Sequence, residues 1–198
     1  MATEGRSEEY RPEATLSGKG EPSEAELIQA AAGGNVGAFA RLVSRYRGRV
    51  LCTAYGVVGS AAEAEDVAQE VLVRVWRNLS EHRQKGAFAG WVYRITVNAA
   101  IDTLRERRPE VELKDTHGEP RASAEEIVLL RDEARRVRRA IEALPPNTRV
   151  TLILREYEQL SYKEIAQVLQ IPIGTVMSRL SYARKLLKET LDSVEGDG

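Results

Sequence analysis

The chain has a single cysteine in 198 residues, two histidines, two tryptophans, two phenylalanines and a net charge of only −1. One cysteine excludes an internal disulfide and fits a reducing compartment. Cys52 lies among Val50, Leu51 and Ala54 and is expected as a buried, inert thiol. His82 and His117 stand in separate polar segments with no cysteine or carboxylate at ligand spacing, so no metal site is expected. No apolar run approaches the length of a membrane span. The opening residues, MATEGRSEEY, are polar and acidic, so no signal peptide is expected and the expected location is the cytoplasm. The phosphate loop GxxxxGKS/T, a GxGxxG turn after a strand and a serine nucleophile elbow are all missing. No catalytic residue and no cofactor are therefore expected, and the chain does not read as an enzyme. Sustained period-two alternation is also missing, which leaves an all-α fold.

The near-zero charge conceals a division along the chain. Residues 1–26 carry seven acids against three bases, and residues 109–133 eight against three. Residues 41–108 instead carry twelve bases against seven acids, and residues 161–191 five against two. Basic modules alternate with acidic connectors, a pattern that a net charge cannot reveal.

The most informative stretch runs from Leu160 to Leu187. Ser161 and Glu164 have the S-x-x-E spacing of a capping box, which opens a helix by satisfying its free amides. Pro172 has no N–H to continue that helix, so the chain must turn near Gln170 to Ile173. Beyond the turn Val176, Leu180, Ala183 and Leu187 form one apolar stripe. Facing outward are Thr175, Met177, Ser178, Arg179, Ser181, Tyr182, Arg184 and Lys185, with no carboxylate among them. Two helices around a tight turn, the second offering donors, hydroxyls and cations, suit the major groove of DNA.

The remaining pattern is helical too. A tail of Glu, Gly, Ser and Pro without periodicity occupies residues 1–22 and reads as disordered. Helices are expected over Glu24 to Ala32, about Val36 to Val57, Ser60 to Leu79 and Ala87 to about Arg107. In the third, Val67, Ala68, Val71, Leu72, Val75, Trp76 and Leu79 form an apolar arc. The opposite strip, Asp66, Gln69, Glu70, Val73 and Arg77, is either a solvated face or a docking surface. The fourth is apolar on two sides, as a central helix should be, and leaves Arg94, Asn98 and Arg105 on one polar strip suited to nucleic acid. Ser60 and Glu63 repeat the capping-box spacing. Pro109 to Ala122 reads as a linker, followed by helices over Ser123 to Leu144 and Asn147 to Tyr157.

Two segments, EDVAQEVLVRVWRNL with AFAGWVYRITVNAAIDTLRERR and LPPNTRVTLILREYEQLSYKEIAQVLQIPIGTVMSRLSYARKLL, carry a resemblance. They are similar to bacterial RNA polymerase sigma factors of the extracytoplasmic-function (ECF) type, the smallest members of the sigma-70 family. The likeness spans about Glu24–Arg108 and Ser123–Leu191. It implies two small helical bundles joined by a flexible linker: region 2 over 23–108, a linker over 109–122, region 4 over 123–191, and a tail over 192–198. It implies a non-catalytic subunit that binds core RNA polymerase, at its clamp helices and flap, and directs initiation at promoters. The strip with Asp66, Gln69, Glu70, Arg74 and Arg77 would meet the polymerase. The loop with His82, Arg83 and Lys85 and the helix with Tyr93, Arg94, Asn98 and Arg105 would read and melt the minus-10 element. The helix from Thr175 to Lys185 would read the minus-35 element, and an anti-sigma factor is an implied partner. His82 stands where many relatives have Phe, and Met177 where Lys or Arg is frequent, so base preference does not transfer from them. The rival readings are a freestanding helix-turn-helix regulator dimerising on a palindrome, which leaves Glu63–Arg108 unexplained, and an adaptor that binds only proteins.

Overall fold

The structure is a computed structural model that describes residues 21–81, 87–107 and 134–195. Among these residues every regular element is a helix. Expectations for the tail 1–20, for His82, Arg83 and Lys85, for the linker 109–122 and for residues 123–133 lie outside the described residues.

The first four helices begin and end where local chemistry requires. Helix α1 (Glu24–Ala32) opens with a complete capping box: Ser23 Oγ accepts the Glu26 N–H at 3.3 Å, and the Glu26 carboxylate accepts the Ser23 N–H at 2.8 Å. Helix α2 (Val36–Val58) is capped by Asn35, whose Oδ1 accepts the Ala38 N–H at 2.9 Å. It ends on Gly59 at φ +79°, a left-handed position that glycine takes without Cβ strain. Helix α3 (Ala61–Asn78) follows Ser60, and helix α4 (Phe88–Glu106) precedes Arg107. The expected capping box at Ser60 forms only by half. Ser60 Oγ accepts the Glu63 N–H at 3.4 Å, but the Glu63 carboxylate turns to Arg107, which also donates to the Val58 carbonyl at 2.5 Å. This contact ties the end of α4 to the α2–α3 corner and raises the Arg107 pKa, chiefly through its hydrogen bond to Glu63.

The second group starts with helical residues 134–142 (α5), which bury Ala140, and the following Leu144 is buried as well. Helix α6 (Pro146–Glu156) begins one residue earlier than expected. Proline breaks a preceding helix but suits the first position of a new one, where its missing N–H has no partner to lose. Helices α7 (Tyr162–Leu169) and α8 (Ile173–Glu195) follow.

Helix α2 is the axis. It packs on α1, α3 and α4, and also on α6, so the two groups share a continuous core instead of standing apart. Val50, Ala54, Val57 and Val58 of α2 are sealed in it together with Leu152 and Leu154 of α6. Helix α4 is apolar on two sides as expected: Val92, Ala99, Val97 and Ala100 are all buried.

Two burial expectations need correction. Cys52 is exposed, because it sits on the flank of α2 between the buried Val50 and Thr53. Partial burial and the neighbouring Glu158 charge push its pKa up, so it remains a thiol. Trp76, placed in the α3 apolar arc, is 38% exposed and leans against Phe39 at 4.7 Å between ring centroids. Its arc position lies at the margin, where the groove between α2 and α3 opens to solvent.

Candidate nucleic-acid interface

The turn into α8 is built from local constraints. Ser161 and Glu164 make the expected capping box, at 3.3 and 2.8 Å, and the bond holds the Glu164 carboxyl below its usual pKa. Helix α7 ends on Gln170 at φ +54°, in the left-handed region that closes helices, and the Ile171 N–H reaches back to the Ala166 carbonyl at 3.1 Å. The Pro172 carbonyl then accepts the Thr175 N–H at 2.9 Å, which starts α8. Arg155 holds the α6–α7 connection by donating to the Leu160 carbonyl at 2.9 Å.

This frame fixes the rotation of α8. Val176, Leu180 and Ala183 are buried and Leu187 is half-buried. Met177, Ser178, Ser181, Tyr182, Arg184 and Lys185 are exposed, with Met177 at 55%, while Thr175 and Arg179 are half-buried. Among the described residues Lys185 has only a long contact, 3.8 Å, to Glu189 one turn on. The face therefore offers three cations, hydroxyls and a phenol to solvent over two to three turns, the complement of a phosphate-lined groove.

On α3 the residues Asp66, Gln69, Glu70 and Arg77 are exposed, and half-buried Arg74 donates to Glu70 at 2.6 Å. On α4 Asn98 and Arg105 are exposed, with Arg105 only loosely held by Asp102 at 3.5 Å. Arg94 is half-buried and borders a cleft shared with Glu164 and Gln167 of α7.

Tyr93, which the resemblance groups with the minus-10 residues, lies off the polar strip of α4 and inside the packing. It is 2% exposed, and its hydroxyl donates to Glu158 Oε2 at 2.5 Å. Burial, then the hydrogen bond to the carboxylate, pushes the phenol pKa well above its usual value. In this arrangement no base can reach it, because the α6–α7 connection of the second group lies over it.

Sites that were separate in the sequence reading meet here. Arg74 of α3, Asn98 and Arg105 of α4, and Arg179 of α8 border one cleft of about 520 Å³ with Asp102 and Asn147. Three guanidiniums against one carboxylate make it attractive to phosphate.

The sequence reading missed the residues that join the groups: Thr53, Gly56, Arg149, Ile153 and Glu158. Arg149 is buried and donates to three backbone carbonyls, those of Val57 at 2.7 Å, Leu144 at 3.2 Å and Glu142, while its Nε has no partner among the described residues. Burial lowers its pKa. The signals were a threonine and a glycine interrupting the apolar face of α2 and an arginine interrupting that of α6.

Comparison with known proteins agrees with this geometry. Residues 42–110 match Sigma-70 region 2, and residues 134–187 match Sigma-70, region 4. The RNA polymerase sigma-H factor of Pseudomonas aeruginosa is 38% identical, over 84% of this chain and 92% of the relative. The chain belongs to the ECF RNA polymerase sigma factors. As a sigma factor it acts in promoter-specific transcription initiation with RNA polymerase. The ECF sigma-E factor of Escherichia coli is 36% identical over 81% of this chain and 90% of its own length. Among solved structures, CnrH in complex with the cytosolic domain of CnrY superposes with a TM-score of 0.65 at 28% identity, covering 84% of this chain and 96% of that one. RpoE of Bartonella quintana, solved with the anti-sigma factor NepR, shares the fold with a TM-score of 0.65 at 22% identity over 79% and 98% of the two chains. Sigma factors are initiation factors without enzymatic activity of their own. Among the described residues no helix is long and apolar enough to cross a membrane, and no cluster of His, Cys, Asp or Glu could hold a metal ion.

Proposed function

We propose that residues 23–108 and 123–191 are the two promoter-reading modules of this sigma factor, separated by a linker over 109–122. The α3 strip of Asp66, Gln69, Glu70, Arg74 and Arg77 docks on the polymerase clamp helices, and the second module meets the flap. The α4 strip, with Arg94, Asn98, Arg105 and, once uncovered, Tyr93, receives the minus-10 element together with His82, Arg83 and Lys85. The face of α8 from Thr175 to Lys185 reads the minus-35 element. The single observation that carries this reading is that exposed face, which holds no carboxylate between Thr175 and Lys185. Capturing a base on α4 requires unstacking it, at a cost of a few kcal/mol, which basic neighbours along the strand offset.

The protein works in the cytoplasm and performs no chemistry itself. Two of its structural neighbours were solved with inhibitory or cytosolic partners, and an anti-sigma factor is the corresponding partner here. Run-off transcription with core RNA polymerase on fragments of the source genome, with and without this protein, tests the proposal. New 5′ ends that share two spaced upstream motifs are expected. Failure to bind core polymerase would overturn it.

A further inference from the structure

We propose that Met177, with Ile173 one turn before it, reads thymine in the minus-35 element by packing on the C5 methyl group. The inference rests on the minus-35 reading of α8 given above and adds the base chemistry that it leaves open.

The opening of α8 differs from the rest of its outer face. From Ile173 to Ser178 the sequence IGTVMS carries no charge, and the three cations of the face, Arg179, Arg184 and Lys185, all come later. Met177 is 55% exposed and Ile173 50%, although both are side chains that burial favours. Their i, i+4 spacing sets them one above the other along the helix. Among the described residues neither joins the hydrophobic core. Beneath this turn Val176 and Leu180 are buried, which holds its backbone in place.

The same turn has little to offer a hydrogen-bond acceptor. The Ser178 hydroxyl donates to the Thr175 carbonyl at 3.0 Å, so its one proton stays within the helix. Thr175 is half-buried, and Ile173, Gly174 and Met177 carry no side-chain donor. A Cβ at Gly174 would meet nothing within 4 Å, so packing inside the protein does not call for glycine there. Glycine is less favourable than alanine in a helix. A bare backbone at an exposed first turn instead suits the close approach of a ligand.

The cations select a polyanion, and the first residues of a recognition helix are those that reach base edges. Guanine and adenine present acceptors in the major groove and therefore ask for donors, while the cytosine amino group asks for an acceptor. Thymine alone adds an apolar group there, its C5 methyl. An exposed apolar pair without donors, followed on the same face by cations, matches thymine. The competing picture is a Met177 that stays in water when α8 meets DNA.

The test uses the full chain bound to core RNA polymerase and a promoter mapped by run-off transcription. Each thymine of the minus-35 element, on either strand, is replaced in turn by deoxyuridine, which removes the methyl and keeps the pairing edge. At one or more positions the affinity of the wild type should fall about fourfold, the change expected for uncovering one methyl-sized group. Met177→Ala should abolish that difference between thymine and uracil. Met177→Leu, which keeps an apolar side chain, should retain it. Met177→Arg should move the preference at that position to guanine, whose O6 and N7 accept a guanidinium. Each readout is a ratio between two DNAs, so a general loss of stability or of polymerase binding does not move it. A minus-35 element without thymine, uracil substitutions without effect at every position, or a thymine preference undiminished in Met177→Ala would overturn the methyl reading. Scrambling the whole element tells the two levels apart. If scrambling weakens binding while uracil does not, the methyl reading alone fails; if scrambling has no effect, the minus-35 reading of α8 fails and this proposal with it.

Discussion

Helices α8 and α4 carry the two candidate DNA faces, and they differ in what covers them. The face of α8 is open over most of its length; only Thr175 and Arg179 are half-buried. That of α4 keeps Asn98 and Arg105 in solvent but has lost Tyr93 to a carboxylate from the other group. The difference follows from their positions. Helix α8 has one buried stripe and therefore one free side. Helix α4 is wedged between neighbours, so its narrow polar strip is easily covered by whatever packs next to it. A free face can be read from periodicity alone, whereas a shared one cannot.

The largest predicted effect breaks α8 from beneath. Leu180→Ala empties a fully buried site on its underside and should cost about 3 kcal/mol of stability. The urea midpoint measures this, and minus-35-dependent transcription should fall with it. Substitutions on the upper side should do the opposite. Arg179→Ala or Arg184→Ala should leave the urea midpoint in place and cost transcription about 1–3 kcal/mol each where the side chain meets a base edge. If every promoter variant loses activity equally, the contact is to phosphate.

On α4, Tyr93→Phe removes a hydroxyl bound to a charged acceptor, with an expected loss of about 1.5 kcal/mol in folded stability by thermal or urea unfolding. Ser161→Ala removes the cap that sets α7 and so the angle of α8, and should cost about 1 kcal/mol. The pH prediction is the smallest. The folded-state pKa of Tyr93 lies above its unfolded value of about 10. Its contribution is therefore present below pH ~10 and is lost as the pH rises through the higher folded value. In an ultraviolet phenolate titration, Tyr93 and Tyr46 should both ionise above the unfolded value, and Tyr93→Phe should remove one of these two late phenols. A phenol at position 93 that titrates at the unfolded value would mean that Glu158 does not cover it in solution.

Much of the fold was legible because its determinants are local. The caps Ser60 and Ser161, the breaker Pro172 and the apolar stripe of α8 each act within a turn or two of the chain. Pro146 falls in the gap expected between two helices and turned out to start the second, a distinction that depends on which side of it the next helix lies. The candidate α8 face was legible for the same local reason. The packing of one group on the other was not. Its contacts join residues as distant as Thr53 and Glu158, and each looks ordinary in its own segment: a threonine in an apolar helix, a glutamate at a helix end, a glycine mid-helix. Only juxtaposition gives Gly56 and Ile153 a joint meaning. The exposure of Cys52 was missed because apolar neighbours in sequence do not share its side of α2.

The most direct measurement is a footprint on a promoter mapped by run-off transcription, comparing this protein alone with the protein bound to core RNA polymerase. Two protected patches, at the minus-10 and minus-35 elements, are predicted for the complex and neither for the protein alone, because simultaneous contact depends on the polymerase holding the two modules apart and at high effective concentration. Tight protection of either element by the free protein would contradict that division of labour.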